Sequence, residues 1–332
     1  SFAELLWNDE REAHFFVSHW WGEPILDFVA CIEAHDVAHK GGGQGLYWIC
    51  AYANCQARIA EELGEEGPLG SPFYKALKAA RGGAVLVIDE KSTVVTRMWC
   101  GFENVVIAGE EKPLVMATCV DGFGHVLTKA LAPCDFGTKN SDGDDVPAQA
   151  ARWGRQKKFP AERVAAAVGT KLELAAASNE QDRLMIIDCV EKHFGGFDRA
   201  NSKLRVMGSV GAVALGSVDS EIVKALNEAE EPYELDVPFG DALPRAVSMG
   251  LNLEQCCGLT ADLNAGVEDA DVVALGRRLE AAKKMSSIML LLSDCSVGDV
   301  AVTALGRGLG ALRKLTKVAL TVVDCNNVGD SG

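Results

Sequence analysis

The stretch HFFVSHWWGEP at residues 14–24 decides how the rest of the chain is organised. Its apolar start, residues 14–17, predicts a β-strand that breaks at Ser18. Pro24 then stands at a favoured first position of a helix, so the stretch predicts strand, loop and helix in succession. This is the opening unit of an α/β sheet, in which ligands bind beyond the carboxyl ends of the strands. The two loop tryptophans either contact such a ligand or close the end of a hydrophobic core.

The composition is that of a globular protein large enough for two domains. The chain has 332 residues, of which 48% are hydrophobic and 24% charged, and its formal net charge is −15. So acidic a surface disfavours nucleic acid and anionic membranes as partners. Neither an apolar run of transmembrane length nor a signal-peptide pattern is present. The 11 cysteines are scattered without a CxxC pair, which indicates reduced thiols and a cytoplasmic location.

Further apolar runs continue the alternation that residues 14–24 begin. They predict three more strands, at residues 46–52, 84–89 and 114–118. Helices are predicted between the strands, at residues 24–39, 72–80 and 97–107. Strands that alternate with helices predict an α/β fold with a mostly parallel sheet. The loops after parallel strands gather at one edge, so we expect Ser18, Tyr52 and Asp89 to open onto one cleft.

Two patterns imitate metal sites without completing one. Cys31, His35 and His39 stand four apart along one edge of the first helix, but they supply only three ligands. A half-buried helix edge is therefore favoured over a metal site. The acidic segment near residues 135–158 imitates a calcium loop but lacks its glycine and its final glutamate. It predicts a solvated loop, and no metal or cofactor is expected.

From about residue 255 the chain repeats itself with a period of 30 residues. Three matched pairs carry the period: Val267 and Val297, Leu275 and Leu305, Leu279 and Leu309. Each unit predicts a short strand, a turn and a helix, with the strands at residues 288–292 and 318–323. A further copy starts at residues 324–330.

These units resemble leucine-rich repeats of the ribonuclease-inhibitor type. The resemblance is clear over residues 255–332 and extends to degenerate units within residues 216–254. It implies an α/β solenoid with a parallel sheet on its concave face and a protein partner bound by the repeats. Because one unit cannot bury its apolar face alone, more repeats are expected after Gly332. The chain is then a fragment of a longer protein.

Three features of the first half are found together in one family. They are the loop after the first strand, the strand at residues 85–88 and the motif WCGFE at residues 99–103. Together they resemble Toll/interleukin-1 receptor (TIR) and TIR-like domains, whose third helix opens on Ser-x-Trp-Cys-x-x-Glu. Here Thr96 supplies the hydroxyl, one residue further from the tryptophan. The resemblance covers residues 14–120 and implies a flavodoxin-like parallel sheet. The TIR-like α/β domain as a whole is expected to span residues 14–215, after a lead-in at residues 1–13.

Some members of this family cleave NAD, while many only assemble. The resemblance implies that Glu103 is catalytic and that NAD is a substrate. The nucleotide site implied by the resemblance and by the strand ends comprises Ser18, His19, Trp20, Trp21, Tyr52, Asp89 and Trp99. The two tryptophans replace the polar loop usual in the family. A carboxylate can stabilise the oxocarbenium-like transition state of glycosidic cleavage, and aromatic rings can stack on the nucleotide. The alternative for Glu103 is a solvated carboxylate in the first turns of its helix.

Two function classes follow from these patterns. The first is an intracellular signalling or sensing protein in which the TIR-like domain hydrolyses NAD and the repeats bind a protein. The second is a non-enzymatic scaffold, in which the first domain self-associates and the repeats bind a protein. A raised pKa at Glu103 within an aromatic cleft favours the first class, and an exposed, unpaired Glu103 favours the second.

Overall fold

The computed structural model describes residues 1–6, 11–39, 42–55, 67–238, 240–264, 266–323 and 325. The chain divides into two compact units. Unit 1 comprises Ser1–Phe159 and Thr170–Leu204, and unit 2 comprises Pro160–Gly169 and Arg205–Gly332. The division after Leu204 falls inside a helix, ahead of the boundary that the sequence predicts at residue 215. Of the predicted lead-in, Phe2–Leu6 is helical.

The strands and helices alternate along most of the chain. The strands are β1 (Phe15–Ser18), β2 (Tyr47–Ile49), β3 (Ala84–Val87), β4 (Leu114–Val120), β5 (Phe123–Thr128), β6 (Tyr233–Val237), β7 (Cys256–Leu263), β8 (Ser287–Ser293) and β9 (Lys317–Val323). The helices are α1 (Phe2–Leu6), α2 (Ile25–Ala38), α3 (Cys50–Ala53), α4 (Pro72–Ala79), α5 (Met98–Gly109), α6 (Ala148–Gln156), α7 (Ala161–Ala165), α8 (Glu180–His193), α9 (Gly196–Ala214), α10 (Ser220–Asn227), α11 (Ala242–Ser248), α12 (Asp269–Ala281) and α13 (Asp299–Gly310). The predicted α/β class is confirmed.

Unit 1 contains a five-stranded sheet in the order β2-β1-β3-β4-β5. The first four strands are parallel, as predicted. The fifth strand departs from that pattern because it pairs antiparallel with β4. Asp121 and Gly122 form the two-residue turn between them, and both have positive φ angles, of 50° and 79°. An Asp-Gly pair with this backbone is typical of a hairpin, which reverses the chain without a crossover helix.

The second strand is shorter than the sequence predicts. β2 ends at Ile49, and Cys50 to Ala53 form a helical turn, so Tyr52 lies on α3 rather than at a strand end. The reason is the partner strand: Val17 pairs with Ile49, and β1 ends one residue later at Ser18. Residues after Ile49 therefore have no ladder to extend, and their backbone groups are satisfied in a helix instead.

The centre of the unit 1 sheet is buried on both faces. All four residues of β3 are buried, as expected for a parallel strand covered on both sides. On one side, Val17, Val85 and Ala117 pack in a cluster with Phe28 and Cys31 of α2. This packing fixes α2 directly after the β1 loop, and the loop residues are thereby held at the sheet edge.

Unit 2 contains a four-stranded parallel sheet, β6-β7-β8-β9, which we call the repeat sheet. Leu259 pairs with Ile288, and Ile288 pairs with Val318, so equivalent residues of neighbouring strands are 29 and 30 positions apart. Each of β7 and β8 is followed by a helix, whose Leu275 or Leu305 is buried in the same core. The predicted strand, turn and helix of each unit are thus observed. β6 and α11 add an earlier unit within residues 216–254.

The last strand of the repeat sheet differs from the others in exposure. Ile288 and Leu290 of β8 are buried, whereas their partners Val318 and Leu320 are exposed, Val318 by 57%. In the described part of unit 2, no helix follows β9 to cover them. The copy predicted at residues 324–330 lies outside the described residues, apart from Cys325. Among the described residues of the whole chain, no helix is both long enough and apolar enough to cross a membrane.

Candidate functional site

Ser18 and Glu103 meet inside unit 1. Ser18 is the last residue of β1, and Glu103 lies on the second turn of α5, which follows β3 and a 3₁₀ turn. The Ser18 Oγ donates a hydrogen bond to Glu103 Oε2 at 2.5 Å. Both residues are buried, and Glu103 is only 6% exposed. Glu103 is therefore a paired interior carboxyl group rather than a solvated one.

Burial decides the charge of Glu103. Removal from water raises the pKa of this carboxyl to about 8, and the hydrogen bond from Ser18 opposes the rise. At neutral pH the side chain is therefore mostly protonated, and its charged form becomes dominant only above about pH 8. A carboxyl with such a pKa is typical of sites where proton binding has a function, and also of well-packed interiors.

Two thiols lie close to this pair. Cys100, one helical turn before Glu103, donates from Sγ to the His19 carbonyl oxygen at 3.4 Å. Burial raises the pKa of Cys100 well above its usual range, and the neighbouring Glu103 raises it further. The same two causes raise the pKa of Cys50, at the start of α3, to about 12. Both groups are therefore neutral thiols: Cys100 donates a hydrogen bond, and Cys50 accepts one from Trp21 Nε1.

A cavity of about 160 Å³ lies beside this buried cluster, at the carboxyl end of β1. Its walls come from the β1 loop, the start of α2 and the turn α3: His19, Trp20, Trp21, Glu23, Ile25, Phe28, Ala51 and Tyr52. The loop is tightly built, since the Trp20 ring covers Gly22 where a Cβ atom would stand. A cavity of roughly 150 Å³ accommodates benzene. The space therefore fits one aromatic ring, not a whole dinucleotide.

The cavity walls are aromatic and uncharged apart from Glu23. Trp21, 55% exposed, donates from Nε1 to the Cys50 sulfur at 2.8 Å and so links the β1 loop to α3. The His19 ring packs on Phe28 with centroids 4.7 Å apart. Burial lowers the pKa of His19 to about 4, so the ring is neutral at physiological pH. Its Nδ1 is buried without a hydrogen-bond partner in the described part of the chain.

The single cleft predicted from the strand ends is not formed as expected. Asp89 does not line the cavity, because its carboxylate accepts from the backbone N–H of Val94 at 3.0 Å and of Lys91 at 3.3 Å. It therefore caps the turn after β3. Tyr52 does line the cavity, but from a helix, while Ser18 and Glu103 lie behind the wall.

Trp99 belongs to the core of unit 1 rather than to the cavity. Its ring stacks on Phe73 with centroids 5.0 Å apart, and its Nε1 donates to Asp182 Oδ2 at 3.0 Å. Trp48 continues this aromatic row, with its ring 5.5 Å from Phe73 and 5.2 Å from Phe16. The motif thus places Trp99 on α5, where its ring packs in unit 1 and does not line the cavity.

The sequence does not single out every residue at the cavity, and those that it misses lie on α2 and α3. Ile25 and Phe28 on α2 complete the wall, and Cys50 anchors the Trp21 indole. The helical spacing of Ile25 and Phe28 signals an apolar face but not a cavity. The sequence gives no signal for Cys50, because its role depends on the contact with Trp21.

The Cys31, His35 and His39 edge is filled by packing and hydrogen bonds. His35 Nδ1 bonds the Tyr47 hydroxyl at 2.8 Å, and the two histidine rings stack 4.1 Å apart. In the acidic loop, Asn140 Oδ1 accepts from the backbone N–H of Asp144 at 2.8 Å. Across the described ranges, no three or more His, Cys, Asp or Glu side chains are arranged to hold a metal ion.

Comparisons with protein-family models, with curated proteins and with solved structures found no match for this chain.

Proposed function

We propose that unit 1 cleaves the glycosidic bond between nicotinamide and ribose in NAD, with Glu103 as the catalytic carboxylate. The observation that carries the proposal is the position of Glu103. It is buried, its pKa is raised to about 8, and Ser18 connects it to a loop whose next residues line an aromatic cavity. The TIR-like resemblance of the WCGFE motif points to the same residue. A non-enzymatic role predicts that Glu103 is exposed and unpaired. On α5 the residue is instead buried and hydrogen-bonded to Ser18.

The cavity is the proposed binding site for the nicotinamide ring of NAD. Its volume fits the nicotinamide ring, and the faces of Trp20, Trp21 and Tyr52 offer stacking surfaces for a planar cation. The ribose and the remainder of NAD then extend from the cavity mouth into solvent. Because Ser18 and Glu103 lie behind the cavity wall, the β1 loop has to move before the Glu103 carboxylate can reach the glycosidic bond.

The chemistry requires one carboxylate and one water molecule. The bond between ribose C1 and the nicotinamide nitrogen breaks, and its electron pair stays on that nitrogen, which becomes neutral. Water adds to C1 and loses a proton, so NAD and water give nicotinamide, ADP-ribose and a proton. Ionised Glu103 stabilises the cationic transition state and accepts the proton from water. Its hydrogen bond with Ser18 has to open for this, and its own proton has to leave first.

The test is release of nicotinamide from NAD by the purified chain. We expect release by the wild type and a loss of at least about a hundredfold in Glu103→Gln, the usual cost of removing an electrostatic transition-state stabiliser. Glu33→Gln removes an exposed carboxylate from α2 and serves as the matched control. A wild-type chain that releases no nicotinamide overturns the proposal, and so does a variant that retains the activity.

A non-enzymatic scaffold is the second candidate, and one observation favours it. α2 carries apolar side chains that face solvent: Leu26 is 78% exposed and Val37 is 69% exposed, with Ile25 and Val29 beside them. Exposed apolar patches of this kind mark protein contacts. On this alternative, unit 1 self-associates through α2. Sedimentation experiments should then show a concentration-dependent dimer that Leu26→Glu abolishes, and neither protein should consume NAD.

For unit 2 we propose a protein partner, which contacts the open face of the repeat sheet. Met289 is 48% exposed at the centre of that face, between Thr260 and Ala319 on the adjacent strands. We also place the protein in the cytoplasm, where cysteine thiols are ordinarily kept reduced.

A further inference from the structure

Two cysteines of unit 2 lie unusually close together. The Sγ atoms of Cys295 and Cys325 are 3.0 Å apart. The two residues occupy equivalent positions of successive repeats, 30 positions apart, in the segments that follow β8 and β9. Two thiols at this distance are in contact and are not yet bonded.

Each of the two cysteines lies just beyond a paired section of two neighbouring strands. Ser293 pairs with Val323 at the end of the ladder, and each cysteine follows its strand by two residues. Neighbouring strands lie about 4.8 Å apart, inside the range of about 4.4 to 6.8 Å that disulfides require between Cα atoms. The turn is held in place, since the backbone N–H of Asp294 donates to the Val323 carbonyl at 3.2 Å. The sulfurs therefore need to approach by only about 1 Å.

We propose that Cys295 and Cys325 form a reversible disulfide that links the ends of strands β8 and β9. The oxidant is a small-molecule disulfide of the glutathione type. A thiolate of the protein attacks it, which forms a mixed disulfide and releases one glutathione. The second cysteine then attacks the protein sulfur of that mixed disulfide and displaces the second glutathione. Two protein thiols and one glutathione disulfide thus give one protein disulfide and two glutathione molecules.

The surroundings of the two sulfurs give the order of these steps. Cys295 is buried, and burial together with the neighbouring Cys325 thiol raises its pKa to about 11. Cys325 is only partly buried, so it is the sulfur that a dissolved disulfide can reach. Cys325 therefore forms the mixed disulfide, and Cys295 resolves it from inside the sheet.

The bond would act on strand β9. β9 is exposed along its whole length, and within the described chain its ladder contact is with β8. A cross-link between residues 295 and 325 closes a loop that includes α13. It therefore restricts the conformations available to β9 when this strand detaches from the sheet. Oxidation would therefore hold β9 on the sheet, and reduction would release it.

The test uses the full chain, equilibrated with glutathione disulfide and then alkylated for peptide mapping by mass spectrometry. We expect a linked Cys295–Cys325 peptide that lacks two hydrogens and is restored by dithiothreitol. Amide exchange in β9 should slow by at least about tenfold on oxidation. Cys257→Ser, on the neighbouring strand β7, should leave both results unchanged, whereas Cys295→Ser should leave Cys325 glutathionylated.

Two results would overturn the proposal. The first is recovery of Cys295 and Cys325 on separate peptides from oxidised native protein. The second is a linked peptide that forms equally well in urea, because the native geometry would then have no part in its formation. If the link forms but amide exchange in β9 is unchanged, the proposed hold on the strand is wrong.

Discussion

Ser18 and Glu103 are 85 positions apart in the chain and share a 2.5 Å hydrogen bond in the interior of unit 1. The bond joins the end of β1 to the second turn of α5. Because both groups are buried, the carboxyl retains its proton to about pH 8. This relationship connects the stability of unit 1, its pH dependence and its proposed chemistry.

The first prediction concerns stability against pH. The carboxyl of Glu103 has a pKa of about 8 in the folded chain, whereas its ordinary pKa in an unfolded chain is 4.5. Between these values the folded state binds more protons, so the free energy of unfolding falls as pH rises, by at most about 1.4 kcal/mol per unit. Glu103→Gln should remove this contribution to the pH dependence of the unfolding free energy. Urea unfolding at pH values between 4.5 and 8 measures it. Equal slopes in wild type and variant would place the carboxyl in water.

The second prediction concerns the donor in this pair. Ser18→Ala removes the hydrogen bond that favours the charged form, so the pKa of Glu103 should rise further. Leaving a buried acceptor without its donor should cost about 1 to 3 kcal/mol of unfolding free energy. Thr96→Ala, at an exposed hydroxyl before α5, is the control and should change neither quantity. A Glu103 pKa that does not move in Ser18→Ala, measured by NMR titration, contradicts the assigned pairing.

The third prediction distinguishes Trp99, which packs inside unit 1, from Trp21, which lines the cavity. Trp99→Ala removes a ring stacked on Phe73 and a donor to Asp182, and should cost about 3 kcal/mol. Trp21→Ala removes a half-exposed ring, so its cost should stay near the 1 kcal/mol or so of its hydrogen bond to Cys50. Thermal unfolding measures both costs. Trp21→Ala should instead weaken the binding of nicotinamide, and the opposite ranking of the two stabilities would contradict the assignment.

The fourth prediction concerns the repeat core. Leu305 on α13 is 1% exposed, so Leu305→Asp buries an unpaired charge and should destabilise unit 2 by several kcal/mol. Val300 is on the same helix but 70% exposed. Val300→Asp should therefore change the unfolding free energy by no more than about 0.5 kcal/mol. Urea unfolding followed by circular dichroism distinguishes the two, and a tolerated Leu305→Asp would exclude the core role.

Most of the fold could be predicted from local patterns. The apolar runs predict β1, β3 and β4, because burial on both faces leaves a strong signal, and the 30-residue period predicts the repeat strands. The hairpin at Asp121 and Gly122 is not among the predicted elements, although Asp-Gly between two apolar runs is a hairpin signature. The length of β2 was not readable, because it depends on where its partner β1 ends.

The candidate site was less predictable because its geometry is tertiary. The β1 loop supplies His19, Trp20 and Trp21 to the cavity, as expected for residues just beyond a strand end. The burial of Glu103 depends on packing against Ser18 from a distant part of the chain, and no local pattern encodes it. For Asp89, a turn cap was the simpler expectation, since aspartate commonly bonds the backbone of its own turn.

The most direct test of the account is the rate of nicotinamide release from NAD as a function of pH. We predict that the wild-type rate rises with pH, about tenfold per unit while Glu103 is mostly protonated, and levels off above a midpoint near the pKa of about 8. Glu103→Gln should show at least about a hundredfold slower release with no such midpoint. Wild-type protein that releases no nicotinamide across this range, or a Glu103→Gln variant with the wild-type profile, would contradict the central claim.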